Sequence, residues 1–444
     1  MIKQYKKYKE SGIEWVGEIP NKWNLVKLKF LAETKFSSVD RHELKEEIKV
    51  AICHYPQAYN NEKINTETSL SSGTCNQNEL DSFSLKKGQV IITKDSETAD
   101  DIGVPTYVEE DIPNAVCGYH LAILQSLHKD FNTNFLFRYL QSNHVSYYFE
   151  INSNGVTRFG LGKSTIENLT VPLPTIEEQN QIAFFLDNQT GIIDKLIRKK
   201  QKLIELLKEK RQSSIYEAVT KGINVKAKMT DSGVAWIGEM PANWELIRLK
   251  FIFKIKKEIA GELGYDVLSV TQKGIKKRDL TNLRGQLSMD YSKYQLVTEG
   301  DFIMNHMDLL TGYVDISKYN GVTSPDYRVF SSIRKNIFDQ FYLYIFQLCY
   351  SNRIFFGLGQ GVSDMGRWRM PSENFNNFLL PLPSLKEQKE ITDYISNNVK
   401  KIDFMIEQQE IIMLKLKEYR LSMISETVTG KIDVRDWQPS TNNN

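Results

Sequence analysis

The chain is short of what a secreted, membrane-bound or metal-dependent protein of its size would carry. Its 444 residues include only four cysteines, Cys53, Cys75, Cys117 and Cys349, with no C-x-x-C pair among them. They read as buried thiols of a cytosolic protein rather than as disulfides or a zinc site. No apolar run approaches the ~18 residues of a membrane span. The N-terminal stretch 1–9 has charge but no apolar run after it, which argues against a secretory signal.

The usual marks of catalysis are also missing. Six histidines (His42, His54, His120, His128, His144, His306) form no H-E-x-x-H and no ligand cluster. Gly162-Lys163-Ser164 ends like a phosphate loop, but Thr157 stands where the cradle requires a glycine. Phe355-Phe-Gly357-Leu-Gly359 has the outline of a methyl-donor pocket. It follows a helix instead of a strand, and no (Asn/Asp)-Pro-Pro-aromatic partner motif occurs in the sequence. Pro325-Asp326 could open a nuclease pattern, yet no acid-x-Lys follows at strand distance. These absences favour a binding module.

There is no strong excess of charge. The net charge is +2, unevenly spread: +4 over 1–30, −7 over 31–168, +4 over 175–228 and +3 over 252–377. A protein that binds nucleic acid unaided is usually strongly basic. If this one binds DNA, partner subunits must supply part of the phosphate neutralisation.

What is present is a repeat. Ser11-Gly-Ile-Glu-Trp15-Val-Gly17-Glu-Ile-Pro20-Asn-Lys-Trp23-Asn-Leu-Val-Lys-Leu28-Lys29-Phe30 returns 221 positions later, from Ser232 to Phe251, with eleven of twenty positions identical and no gap. Pro172-Leu-Pro174-Thr-Ile-Glu-Glu178-Gln179 returns 209 positions later as Pro381-Leu-Pro383-Ser-Leu-Lys-Glu387-Gln388. The stretches between, 31–168 and 252–377, barely resemble each other. The order is head, variable region, tail, twice over. Two different surfaces on one pseudo-twofold frame are the expectation, within the roughly three domains that such a length allows.

Each tail predicts a long helix. Thr175…Glu178 and Ser384…Glu387 are capping boxes, in which the hydroxyl takes one free N–H and the carboxylate reaches back to another. Gly191 is the only interior breaker of the first helix. Apolar residues at heptad-like spacing, Ile193, Leu196, Leu203 and Leu207 in one copy and Ile402, Met405, Ile412 and Leu416 in the other, predict a seam. Lys200 and Gln409 are its matching polar members. Helices of about 45 residues are roughly 65–70 Å long at 1.5 Å per residue and need a partner. The nearest is the other copy, antiparallel to it.

Both variable regions read as mixed α/β. Lys86–Lys94 and Thr298–Asn305 each give a glycine turn and then a buried strand. Strand-like stretches follow at 115–124 and 326–330, then amphipathic helices near 132–150 and 337–353. Their crowded aromatics (Phe135, Phe137, Tyr139; Phe341, Tyr342, Tyr344, Phe346) suit a core better than a base-stacking platform. A polar, cationic loop closes each region, at 154–164 and 361–370. Trp15, Trp23, Trp236 and Trp244 should pack each head against the end of a tail helix.

This organisation, with Gly-x-x-Trp-x-Gly-x-x-Pro-x-x-Trp heads and Pro-Leu-Pro…Glu-Gln tails, resembles the specificity subunit of type I restriction–modification enzymes over nearly the whole chain. The resemblance implies two α/β (α+β) target recognition domains separated by a pair of long antiparallel helices forming a coiled coil. It divides the chain into head plus recognition domain 1 (1–168), spacer helix 1 (169–227), head plus recognition domain 2 (228–377), spacer helix 2 (378–432) and a tail (433–444). It implies a non-catalytic, cytoplasmic subunit that reads a bipartite, asymmetric double-stranded DNA target. The helix pair would set the spacer and dock two adenine-methyltransferase subunits. Two ATP-dependent translocase/endonuclease subunits would join for cleavage. S-adenosylmethionine, ATP and Mg²⁺ would belong to those partners and none to this chain. Two alternatives stand beside it: a specificity subunit whose methyltransferase lacks a cleaving subunit, and a self-contained methyltransferase or restriction enzyme.

Base edges in the major groove are read by Arg, Lys, Asn, Gln, Ser and Thr. The leading candidate DNA contacts are therefore Arg158 and Lys163 in the first closing loop and Arg367 and Arg369 in the second. Asn305, His306 and Arg328 follow, with Lys94 and His120 as their counterparts. As isolated histidines, His120 and His306 fit a structural place at least as well as a base-reading one. The acidic run Asp95-Ser-Glu-Thr-Ala-Asp100-Asp101 departs from the family's short glycine turn and would repel phosphate, so it is expected to face solvent or a partner.

Overall fold

The repeated residues meet the same kind of neighbour in both copies. In the computed structural model, which describes residues 3–278, 291–361 and 368–439, the chain divides into two units. One joins Met1–Gln201 to Ile411–Asn444; the other is Lys202–Glu410.

In the first unit the head forms a hairpin, Tyr8–Glu10 against Glu18–Pro20, and Asn24–Lys27 pairs antiparallel with Thr170–Leu173. The second unit repeats this with Met229–Asp231 against Glu239–Pro241, and Glu245–Arg248 against Leu379–Leu382. Trp23 is fully buried in one core with Ile424 and Val428, and Trp244 in another with Ile215 and Val219. Each indole thus packs on the last turns of a long helix, as the sequence suggested. Trp15 and Trp236 are half-buried.

Between head and tail each unit carries a mixed α/β domain. In the first, a five-stranded sheet runs in the order Ala32–Phe36, Leu121–Ser126, Val90–Thr93, Pro105–Val108, Lys63–Ile64. A three-stranded sheet beside it is ordered Ala115–Cys117, Ile48–Cys53, Ser71–Cys75. In the second, two four-stranded sheets are ordered Phe253–Lys256, Arg328–Ser332, Phe302–Met304, Val314–Ile316 and Gly274–Lys277, Val267–Thr271, Gly321–Thr323, Gln295–Val297. Val90–Thr93 and Phe302–Met304 are the buried strands expected after the glycine turns. Gly88 (φ +84°) and Gly300 (φ +92°) make those turns in the left-handed region, where a side chain would be strained. The aromatic helices are Thr133–Leu140, followed by Asn143–Asn152, and Asp339–Ser351. Their Phe and Tyr residues are core, except that Tyr148 and Tyr344 are half-buried and Tyr147 is exposed.

The tail motif has a mechanical role that its sequence did not announce. Gln179 and Gln388, both fully buried, donate from Nε2 to Pro174 O (3.0 Å) and Pro383 O (2.9 Å). Their Oε1 atoms accept from the backbone N–H of Asn132 (2.9 Å) and Phe338 (2.8 Å), at the starts of the aromatic helices. One amide therefore clamps the Pro-Leu-Pro turn to the N-terminus of the next helix in each copy.

The long helices are Ile176–Lys221 and Leu385–Val428. The second capping box is complete, with reciprocal Ser384–Glu387 bonds. In the first only the Thr175 hydroxyl bond to Glu178 N remains, and the Glu178 carboxylate lies 3.6 Å from Arg435. The first helix runs through Gly191 without a break. Each unit holds an antiparallel stretch of the two helices, fixed by one ion pair. Asp194 meets Arg420 in the first and Asp403 meets Arg211 in the second, both at 2.9 Å. Asp403 and Arg420 stand 209 positions beyond Asp194 and Arg211, so the two ion pairs are mates under the repeat.

The seam lies one residue from where the heptad count put it. Ile193 and Ile402 are buried and Leu207 and Leu416 half-buried, but Leu196 (41%), Leu203 (39%), Met405 (43%) and Ile412 (37%) are exposed. Ile197, Ile204, Ile406 and Met413 take the inward or half-inward places instead. The three/four alternation starts with the longer step, so it is the following residue that faces inward.

Removing the Gln388 amide takes a partner from the carbonyls of Asn336 and Pro383 and from the N–H of Phe338, at about 1–3 kcal/mol for an unsatisfied buried group. Gln388→Ala should therefore lower the thermal midpoint of the protein, while exchange of the exposed Leu203 for Gln should leave it nearly unchanged. Comparing the two melting curves checks this.

Candidate nucleic-acid interface

In the first unit the buried strand Val90–Thr93 delivers Lys94 and Asp95 to one end of the sheet. Lys94 is largely enclosed, its ammonium 5.6 Å from the Phe36 ring and 4.8 Å from that of Tyr119. Asp95 Oδ2 accepts from Lys94 Nζ and from His120 Nδ1, both at 2.8 Å. Burial works against the charged carboxyl, but these two hydrogen bonds outweigh it and hold the group below its usual range. Asp95–Ser96 pairs with Phe159–Gly160, which pairs with Asn154–Gly155. The first closing loop thus lies beside the acidic run.

A cavity of about 480 Å³ lies here, lined by Arg158 of the closing loop, by residues of the acidic run and by Arg41, Tyr55, Tyr59 and His120. Tyr55 and Tyr59, four apart on the short helix Tyr55–Asn60, stack at 5.4 Å and 14°. The Tyr59 hydroxyl donates to Asp101 Oδ2 (2.9 Å). Arg41 and Arg158 are exposed at this cleft. Lys163 begins the helix Lys163–Glu167, exposed and 3.7 Å from Glu167. Of the acidic run, Asp95, Glu97 and Asp101 line the cleft. Sequence reasoning missed Arg41, Tyr55 and Tyr59; the one available signal was the Tyr-x-x-x-Tyr spacing, which puts both rings on one helix face.

In the second unit the expected contacts separate. Arg328 is buried, 4% exposed. Its guanidinium lies 4.4 Å from the Phe375 ring and donates from Nη2 to Met370 O (3.0 Å) and Ser372 Oγ (3.3 Å). Burial pushes its pKa down to about 10. His306 is 6% exposed, and burial, with Arg328 and Arg369 nearby, depresses it to about 3. Its Nδ1 has no hydrogen-bond partner among the described residues. Both side chains are thus buried, in contrast to the exposed Arg369. Arg328 holds the base of the closing loop, and a side chain shut under Phe375 does not reach a base edge in this conformation. Lys94 is enclosed as well, with 12% of its side chain exposed.

Asn305 is half-buried, its carbonyl accepting from Tyr350 Oη (2.7 Å). Arg369 is exposed on a backbone bridge with Gln360, and Trp368 packs on Phe356 at 4.7 Å. Arg367 lies outside the described residues. His120, Arg158, Lys163, Asn305 and Arg369 thus remain accessible or partly so. All four cysteines are buried and free, and among the described residues no cluster of three His, Cys, Asp or Glu could hold a metal. Among those residues no helix is long and apolar enough to cross a membrane.

Two unlike α/β domains on a duplicated helical frame define a class of recognition proteins. The description "Type I restriction modification DNA specificity domain" matches residues 20–206 and again 241–415. The chain belongs to the family of type I restriction–modification DNA specificity subunits, which are not themselves catalytic. It is 28% identical over 290 residues to the type I restriction enzyme MjaVIII specificity subunit of Methanocaldococcus jannaschii, covering 62% of this chain and 64% of that one. The match therefore spans just under two thirds of that relative. The putative type I restriction enzyme MjaX specificity subunit of the same organism is 22% identical over 437 residues, covering 96% and 98%. The fold is that of a solved chain described under complex assembly and conformational transition of the type I R-M system (TM-score 0.68, 14% identity, 93% of this chain and 99% of that one). The HsdS subunit from Thermoanaerobacter tengcongensis also shares it (TM-score 0.53, 15% identity, 93% and 98%).

The depressed His306 gives a pH dependence of known sign. A histidine whose folded pKa lies below its unfolded value of ~6.5 binds a proton more readily when unfolded. Its stabilising contribution is complete above pH ~6.5 and falls away as the pH drops toward the folded value, by at most about 1.4 kcal/mol per pH unit. His306→Asn should flatten the loss of stability between pH 6.5 and 4 in denaturant titrations.

Proposed function

We propose that this chain confers DNA sequence specificity on a type I complex, each α/β domain reading one half of a bipartite, asymmetric target. The observation that carries this reading is the contrast between frame and domains. Head hairpin, glutamine clamp and helix ion pair recur residue for residue, whereas the sheets and closing loops between them differ. A duplicated frame bearing two unlike readers suits a target with two unlike halves. Most polar contacts would position the domains on phosphates, and a few would read bases.

The long helices set the unread spacer and dock two adenine-methyltransferase subunits. Exposed Phe184, Ile192, Phe404 and Leu414 on those helices leave apolar surface for such partners. S-adenosylmethionine, ATP and Mg²⁺ are bound by the methyltransferase and by two translocase/endonuclease subunits. The complex works in the cytoplasm. A methyltransferase complex without a cleaving subunit would use this chain in the same way. The modest charge fits both, since the partners then share the neutralisation of DNA.

Mapping methylated adenines in DNA exposed to the assembled methyltransferase should reveal one bipartite, asymmetric motif. Tight sequence-specific binding by the isolated chain at physiological salt, or methylation without partners, would contradict the reading. Removing four to seven residues from both helices, between the ion pairs (within 195–210 and 404–419), should shorten the spacer by about two to three base pairs, at ~1.5 Å per residue and ~3.4 Å per base-pair step. The half-site sequences should not change, and an unaltered spacer would sink the ruler.

Arg369→Ala, like Arg367→Ala, should damage recognition of one half-site only. A bidentate arginine–guanine contact is worth about 1–3 kcal/mol of discrimination, so its loss relaxes preference at a single position. If the arginine holds a phosphate instead, affinity falls for all sequences alike and the salt slope shrinks by about one. A library varied in both half-sites distinguishes these results, and relaxation in both halves would refute the one-domain, one-half assignment.

A further inference from the structure

The cleft of the first α/β domain poses an electrostatic problem. A domain carrying net −7 over 31–168 that approaches a polyanion would gain by turning its carboxylates away. Instead three of them, Asp95, Glu97 and Asp101, line the same cavity as Arg41 and Arg158. Two are not free to turn. Tyr59 holds Asp101, and Asp95 is fixed through one oxygen only, Oδ2, by Lys94 and His120. Among the described residues Asp95 Oδ1 accepts no hydrogen bond, and the residue lines the cavity with 23% of its side chain exposed. The result is a carboxylate held through one oxygen by two donors, with the other oxygen carrying no hydrogen bond among the described residues, on a residue that lines the cleft.

We propose that Asp95 is a base-reading residue of the first domain, its Oδ1 accepting a hydrogen bond from the exocyclic amino group of a cytosine or adenine in the major groove. This rests on the half-site reading above. A carboxylate suits that group because it accepts and cannot donate, and the cytosine amino group is its usual partner. Arg41 and Arg158 stand at the same cleft, where they offset the repulsion between the carboxylates and the DNA phosphates. Lys94 and His120 are positioning residues. They keep the carboxylate charged and decide which oxygen faces the DNA.

The bracing makes the test sharp. In Asp95→Asn the two donors behind still require an acceptor, so the amide oxygen takes the place of Oδ2. The NH₂ then points into the cleft, and an acceptor has become a donor. Preference at one position should invert, from an amino-bearing base (cytosine or adenine) to a carbonyl-bearing one (guanine or thymine), by about tenfold or more, the scale of one base contact. Lys94→Met removes one brace and should relax that same position without inverting it.

The experiment maps methylation by the full chain assembled with its methyltransferase subunits, on a library varied in both half-sites. The wild-type motif also names which amino base is read. If the wild-type complex yields no bipartite motif, the half-site reading itself fails. If the wild-type motif is bipartite and Asp95→Asn leaves it unchanged, Asp95 reads no base and this inference alone falls. That includes the case in which only assembly weakens because the cleft faces a partner. Should Asp95→Asn abolish methylation, Asp95→Ala decides: relaxation at one position of one half-site supports the assignment, and retention of the wild-type motif overturns it.

Discussion

Each head closes over the end of a long helix, and the rest of its unit depends on that contact. The helices stop in left-handed glycines, Gly222 (φ +71°) and Gly430 (φ +74°). A Cβ on Gly430 would lie 2.4 Å from Pro20 and 3.1 Å from the Trp23 ring, and one on Gly222 would lie 3.2 Å from Trp244. A glycine there ends the helix and lets the indole sit flush on its last turn. Truncating a buried tryptophan typically costs about 3–5 kcal/mol, a large part of the 5–15 kcal/mol that usually separates folded from unfolded chains. With that end fixed, the antiparallel stretch with its Asp–Arg pair, the glutamine clamp and the aromatic helix follow in order.

Beyond this frame the two halves use charge differently. The first domain ties its frame together with a network: Arg138, buried, bonds Asp187 of the first long helix at 2.6 Å and also Glu62, and Glu62 in turn bonds Arg420. A buried arginine is tolerable there because carboxylates surround it. In the second domain Arg328 is buried on carbonyl and hydroxyl oxygens and an aromatic face, and the loss of water around it lowers its pKa. The carboxylates of the first domain's cleft, by contrast, have partners among the described residues for some oxygens and not for others.

The frame was legible because its signals are local and repeated. Capping boxes, glycine turns and the Pro-Leu-Pro…Gln motif need only a few neighbours to take effect, and finding them twice removed most ambiguity. The domains were less legible. Arg328 and Arg369 look alike in sequence, and only Phe375 and the Met370 carbonyl, 42 or more residues away, bury one while the other stays out. Lys94 was lost from view between Phe36 and Tyr119 for the same reason. The acidic run reads in sequence as a source of repulsion, because nothing local shows that His120, 25 residues on, meets one oxygen of Asp95. The seam missed by a residue because several consecutive helix positions are apolar, and side-chain type alone does not choose among them.

The way the chain threads its two units bears on how it is made. The second unit is a single stretch, Lys202–Glu410, whereas the first is assembled from Met1–Gln201 and Ile411–Asn444. The later stretch is no ornament: Asp433 N bonds Lys3 O at 2.9 Å, and Gln181 Nε2 bonds the carbonyls of Val434 and Trp437. On a ribosome releasing the chain from its N-terminus, at roughly 5–20 residues per second, the unit that emerges first is completed last. Its core waits, with the seat for Ile424 and Val428 uncovered, through the synthesis of more than two hundred intervening residues. The second unit has all its parts before then, so the part of the protein encoded later has the opportunity to fold earlier.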